Sequence, residues 1–263
     1  MKKYLFIPSS YSKDVRDERL RVFKIGVLGR AAAIFRIDKI IVYDDKDAKI
    51  DGRKEAAYMK DVLEYMECPQ YLRKHLYPKK KEFKYVGALP PLRTKGHPKE
   101  DEYQPIREGV HIGENEVYCG LEKAIKVKGK LKKNQRLILD IRTGELVDKR
   151  SLGYWSFEVE TYGSFKDALV SNIPDLLIGT SRLGLDIRSV QRKLKESISK
   201  AEKMGIVFGS PFYRGLEEIM GSEGMELSEF DHYINFIPDQ GSRVVKVEEA
   251  ITATLSILNL LED

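Results

Sequence analysis

Five short runs rich in β-branched and aliphatic residues constrain this chain most: residues 5–8, 40–43, 176–179, 206–209 and 233–238. None alternates strictly between apolar and polar positions. A strand with one face in water alternates, whereas a strand covered on both faces need not, and parallel sheets are covered on both faces. Helical patterns separate or follow these runs. Leu20, Phe23, Val27, Ala31 and Ile34 recur at helical spacing, as do Ala56, Met59, Leu63 and Met66. The longest apolar stripe runs through Val247, Ala250, Ile251, Thr254, Leu255, Leu258 and Leu261. Strands alternating with helices predict an α/β fold with a mainly parallel sheet.

The middle of the chain reads differently. Between residues 78 and 162 lie Pro90-Pro91 and glycines at 87, 96, 113, 120, 129 and 144, separated by short strand-like pieces at 83–86, 116–119, 124–127 and 136–141. Residues 155–160 alternate cleanly. Short strands with frequent glycine turns predict a small antiparallel barrel. The predicted organisation is one α/β domain, residues 1–77 and 163–263, interrupted by a β-rich insert at 78–162.

Composition narrows the function classes. The net charge of the 263 residues is +5, yet residues 71–150 hold 20 Lys+Arg against 11 Asp+Glu, a local excess of +9 that leaves −4 for the rest. A basic middle in a slightly acidic frame suits contact with phosphate, and a solvated lysine-rich surface is the competing reading. The two cysteines and four histidines are scattered, so neither a disulfide framework, a zinc site nor any other metal site is expected. No run of about 18 apolar residues predicts a membrane span. The apolar part of the N-terminus is too short for a secretory leader, so a reducing, cytoplasmic compartment is expected. Neither a Gly-x-Gly-x-x-Gly nor a Gly-x4-Gly-Lys-Ser/Thr loop is present, which excludes the common dinucleotide and P-loop readings.

What remains is a pattern of strand ends. Gly179-Thr180-Ser181-Arg182 follows one strand, Gly209-Ser210-Pro211 through Gly215 the next, and Asn235-Phe236-Ile237-Pro238-Asp239-Gln240-Gly241 the last. Ligands of open α/β sheets bind outside the carboxyl ends of the strands. Glycine admits close backbone approach there. Each loop alone reads as an ordinary turn; three together read as a small-molecule pocket.

The residues from Ile206 to Leu216, with Ile234-Asn235-Phe236-Ile237-Pro238-Asp239-Gln240-Gly241-Ser242-Arg243-Val244-Val245, resemble the C-terminal cofactor-binding half of the SPOUT RNA methyltransferases. The likeness is greatest to their archaeal and eukaryotic branch. It extends to Glu18-Arg19-Leu20-Arg21, to Leu28-Gly29-Arg30-Ala31-Ala32-Ala33-Ile34-Phe35, to Pro90-Pro91-Leu92 with Arg107-Glu108-Gly109-Val110, and to residues 175–184, nearly the whole chain. The resemblance implies a C-terminal trefoil knot, an OB-like inserted barrel, a homodimer and S-adenosylmethionine as cofactor. It implies a structured RNA substrate, ribosomal RNA foremost. It assigns Thr180, Gly209, Ser210, Pro211, Gly215, Asn235, Ile237, Pro238, Gln240, Gly241, Val244 and Val245 to the cofactor pocket.

Arg30, with Arg21, is the catalytic candidate. At about 100° per residue Arg30 lies about 20° from Phe23, on the border of the predicted buried stripe. A structural arginine paired to a carboxylate and a charge that orients phosphate both fit there. Lys24 stands where ribose-methylating relatives carry asparagine, which leaves the methylated atom open. Lys79, Lys80, Lys81, Lys126, Lys128, Lys130, Lys132 and Lys133 are the candidate RNA contacts, with Tyr85, Tyr103, Tyr118 and Trp155 as stacking candidates or barrel core. An enzyme, a non-catalytic RNA-binding factor and a dimeric scaffold all fit the fold; cofactor binding and methyl transfer separate them.

Overall fold

A computed structural model describes residues 1–99, 102–210 and 214–262. In chain order the elements are β1 (Lys2–Pro8), α1 (Glu18–Ile34), β2 (Lys39–Tyr43), α2 (Gly52–Glu67), α3 (Arg73–Leu76), β3 (Ile106–Gly113), β4 (Glu116–Tyr118), β5 (Ile125–Lys126), β6 (Arg136–Asp140), β7 (Glu158–Tyr162), α4 (Phe165–Asn172), β8 (Leu176–Asp186), α5 (Ile187–Ile198), β9 (Lys203–Phe208), α6 (Leu216–Ser222), β10 (His232–Asn235) and α7 (Val247–Leu261). A six-stranded sheet in the order β10-β8-β9-β1-β2-β7 is parallel at every pairing. All five predicted runs contribute strands to it, with residue 209 and residues 236–238 past the ends of β9 and β10, and the strands are mostly buried because apolar clusters fill both of its faces. Asp17 and Asp51 cap α1 and α2 by accepting the free amides of Leu20 and Lys54. No helix among the described residues is long and apolar enough to cross a membrane.

The middle forms a separate four-stranded antiparallel sheet, β5-β4-β3-β6, around Val117, Cys119, Val127 and Leu139. Two expectations fail here, and one alternative is decided. Residues 83–86 are not a strand; they lie in successive 3-10 turns. Residues 158–162, placed in the insert by the sequence, form β7 and pair in parallel with β2. Of β7 only Val159 is buried, so this outermost strand carries polar residues like an antiparallel strand with a face in water. Trp155 is core: its indole Nε1 donates to Glu108 Oε1 at 2.7 Å.

The helical stripes divide. Ala56, Met59, Leu63 and Met66 are buried as predicted, and so are Val247, Ile251, Thr254, Leu255, Leu258 and Leu261. The predicted stripe of α1 fails for three of its five residues, with Ala31 buried and Val27 half-buried. Val22, Ile25, Leu28 and Ala32 face the core, while Leu20, Phe23 and Ile34 are 57, 48 and 57% exposed. Helix α1 is apolar on two faces, so periodicity alone could not choose between them.

Candidate cofactor and RNA site

The loops after β9 and β10 meet the second half of β8 at one side of the main sheet and enclose a cavity of about 600 Å³; the loop expected from Gly179 to Arg182 is instead part of β8, which runs on to Asp186. Of the predicted pocket residues, Thr180, Gly209, Ser210, Gly215, Asn235, Ile237, Gln240, Val244 and Val245 line it. Pro238 and Gly241 do not, and Pro211 lies outside the described residues. A Cβ added at Gly241 would meet nothing within 4 Å, whereas one at Gly209 would sit 3.2 Å from the Leu216 amide nitrogen. Gly209 therefore keeps the floor of the cavity clear.

Sequence reasoning missed Glu217 and Glu218 and gave no role to Arg182 and Arg214 within its strand-end segments; all four line the cavity. Glu217 accepts the hydroxyls of Tyr233 and Ser181. Burial, reinforced by the Glu217 carboxylate, pushes the Tyr233 phenol well above its ordinary range. Asn235 Oδ1 accepts the Ile237 amide at 3.0 Å, and Gln240 Nε2 donates to the Ser242 carbonyl at 2.9 Å, so both side chains shape the last loop. Thr180 donates to the Val207 carbonyl at 2.8 Å and joins β8 to β9.

Behind Ser210 lies a buried polar chain with no signature in the sequence. Asp45, fully buried at the end of β2, accepts the Ser9 hydroxyl at 2.9 Å, the Ser10 hydroxyl at 2.7 Å and the Ser10 amide at 3.2 Å. The Ser10 and Ser210 hydroxyls are 2.9 Å apart. Arg214 Nη1 ties the cavity wall to this segment through the Asp45 carbonyl at 2.9 Å.

The catalytic candidates lie elsewhere. Arg30 Nη1 donates to the carbonyls of Pro91 and Leu92 at 3.0 and 2.6 Å, fastening α1 to the Pro90–Leu92 loop. Arg21 pairs with Glu55 and lies over the Tyr58 ring. Nine residues apart, the two arginines occupy opposite faces of α1, about 13 Å apart along its axis. Neither lines the cavity of its own chain. Lys24 is buried between Asp14 at 2.6 Å and Glu248 at 2.9 Å, a structural link from α1 to the start of α7.

The eight candidate lysines of the middle region are all exposed, with Lys80 3.5 Å from Asp61. Tyr103 is exposed; Tyr118 packs on His75 with Lys74 over its ring. A second cavity, about 750 Å³, lies between α2, β6 and β7. Five glutamates line it, and its arginine, Arg136, is consumed by Glu67 and Glu108. Burial pushes the Glu108 carboxyl up against the opposing pull of Arg136. That lining repels phosphate, so the strand-end cavity is the candidate site.

The family described as "Putative RNA methyltransferase" matches residues 3–258. A Homo sapiens protein named 28S rRNA (uridine-N(3))-methyltransferase is 31% identical, over 96% of this chain and 76% of its own length. A Drosophila melanogaster protein of the same name is 29% identical, over 96% of this chain and 60% of its own. An uncharacterised protein of Halobacterium salinarum is 32% identical over the full length of both chains. With nearly its whole length matched, the chain belongs to this RNA methyltransferase family.

Proposed function

We propose that this RNA methyltransferase binds S-adenosylmethionine in the strand-end cavity and methylates a uridine of ribosomal RNA at N3. The cavity itself carries the reading. Ile237, Val244, Val245 and Leu216 supply apolar walls, Gly209 supplies a cradle that a side chain would narrow, and Glu217 and Glu218 supply carboxylates suited to a cationic ligand. These residues fit the cofactor and would hold it. Bound there, it supplies an already activated methyl group, so the protein's task is alignment and exclusion of water. The nucleotide and atom follow the names of the human and fly relatives. Labelled cofactor incubated with rRNA lacking the modification, followed by nucleoside separation, tests the proposal. Label in N3-methyluridine supports it; label in a 2′-O-methyl nucleoside overturns the assignment of the atom.

The finer architecture belongs to the same reading. A C-terminal SPOUT knot is supported by the loop after β10 lying against the ends of β8 and β9 before α7 packs on α1 and α5. An OB-like character for the insert is supported by its short antiparallel strands, and an RNA-binding role by its exposed lysines. The α7 stripe does not argue for a homodimer, because it is spent in the chain's own core. Support comes instead from Leu20, Phe23 and Ile34 on α1 with Leu260 on the adjoining α7, an exposed apolar surface. In that dimer any catalytic contribution of Arg30 or Arg21 would reach the partner's cavity rather than its own. Two free buried cysteines suit a reducing cytoplasm.

A further inference from the structure

The hydrogen-bond chain from the cavity to Asp45 has a fixed direction. The Asp45 carboxylate only accepts, so the single Ser10 hydroxyl proton points at it across 2.7 Å. The contact between Ser10 and Ser210 then requires the Ser210 proton. Ser210 is left with lone pairs alone to offer the cavity that it lines. Asp45 is wholly buried, Ser10 is 3% exposed, and only Ser210 is partly exposed. The chain therefore leads from the cavity to a carboxylate shielded from water.

We infer that Ser210, Ser10 and Asp45 are the proton exit of the methyl transfer and select a base nitrogen that carries hydrogen. This rests on the reading that a sulfonium methyl donor and a base edge meet in this cavity. As the nitrogen bonds to the methyl carbon, the carbon–sulfur bond breaks and its electron pair stays on sulfur, leaving a thioether. The nitrogen–hydrogen bond turns acidic as its nitrogen is alkylated. Its proton passes to Ser210, that of Ser210 to Ser10, and that of Ser10 to Asp45, so that the donor's positive charge and the Asp45 negative charge are lost together. An imide nitrogen such as uracil N3 donates to Ser210. A ring nitrogen with only a lone pair, such as cytosine N3, meets lone pair with lone pair and is disfavoured. Asp45 acts through Ser10 and is a positioning residue and final acceptor; Ser210 is the group that meets the base.

The test uses full-length protein with Ser210→Ala, Asp45→Asn and the double variant. Single-turnover transfer is measured at saturating cofactor and rRNA, and calorimetry gives the affinity for the demethylated cofactor. Each single change is expected to slow transfer about a hundredfold or more, within the range for positioned proton transfer, while Asp45→Asn, outside the cavity lining, changes cofactor affinity less than about threefold. The double variant should be no slower than the worse single, because both act through one chain. Native rates in Ser210→Ala overturn the inference, and that variant alters only the partly exposed end, so folding of the buried end is not at stake. Multiplied losses in the double variant, or affinity falling in step with rate in Asp45→Asn, overturn it too. These results leave the function standing. Native protein that binds the cofactor but labels an RNA oxygen overturns the functional reading, and the relay with it.

Discussion

Lys24→Met removes one charge and little volume from a buried ion cluster. The Lys24 side chain is 4% exposed, and its partners Asp14 and Glu248 are 5 and 20% exposed. Glu248 is the more exposed partner, although its Oε2 atom, which faces Lys24, is itself buried. Asp14 is the more deeply enclosed: its Oδ1 atom has no hydrogen-bond partner among the described residues, and the next cation, Lys246, stands 3.7 Å from Oδ2. The cost therefore falls mainly on one stripped, buried carboxylate, at the lower end of the roughly 3–5 kcal/mol seen when one partner of a buried pair is deleted. At about 2–4 °C per kcal/mol for a domain near this size, the melting temperature should fall by about 6–12 °C. Urea unfolding followed by circular dichroism measures the loss. Lys24→Met with Asp14→Leu should recover most of it, since the more deeply buried carboxylate is then gone as well. The exposed Arg192–Glu196 pair provides the control, and its removal should cost under about 0.5 kcal/mol. A Lys24→Met loss as small as the control's, or a double variant less stable than the single, would refute the argument.

Three further outcomes follow. Replacing Lys79, Lys80 and Lys81 with alanine should weaken RNA binding and lower the salt slope by about 0.7–0.9 per lost phosphate contact, and an unchanged slope would remove them from the interface. Burial pushes the Cys68 thiol up to about 12 and raises Cys119 as well, so native protein should resist a disulfide reagent at pH 8 and expose two thiols only on denaturation. Rapid native reaction would contradict that burial. Burial also lowers the His97 pKa. The unfolded chain then binds the proton more readily, so stability should fall as pH drops below about 6.5, and His97→Gln should flatten that fall in urea midpoints.

Much of the α/β core was legible in the sequence because parallel strands buried on both faces leave unbroken apolar runs, as Ile40-Ile41-Val42-Tyr43 does. Strand β7 was not, because an edge strand alternates and so imitates the insert beside it. The buried face of α1 was ambiguous because Phe23 and Val22 are equally apolar, and only packing distinguishes them. Gly209 and Asn235 were found from their place at strand ends, and Thr180 because its pairing with β9 stops there although β8 runs on. Asp45 and Ser10 were not, because a buried carboxylate held by serines is assembled across β1, β2 and β9 and leaves no local pattern. The same holds for Glu217, one of two adjacent glutamates opening a short helix.

The central claim is that the strand-end cavity holds the methyl donor. Calorimetric titration of native and Gly209→Val protein with S-adenosylhomocysteine tests it most directly. A Cβ at Gly209 would already press within 3.2 Å of the Leu216 nitrogen, and the γ-methyls of valine would project beyond it. Binding by native protein and a loss of about tenfold or more in a folded Gly209→Val variant are the predicted results. No binding by native protein, or equal affinity in the two, would contradict the account.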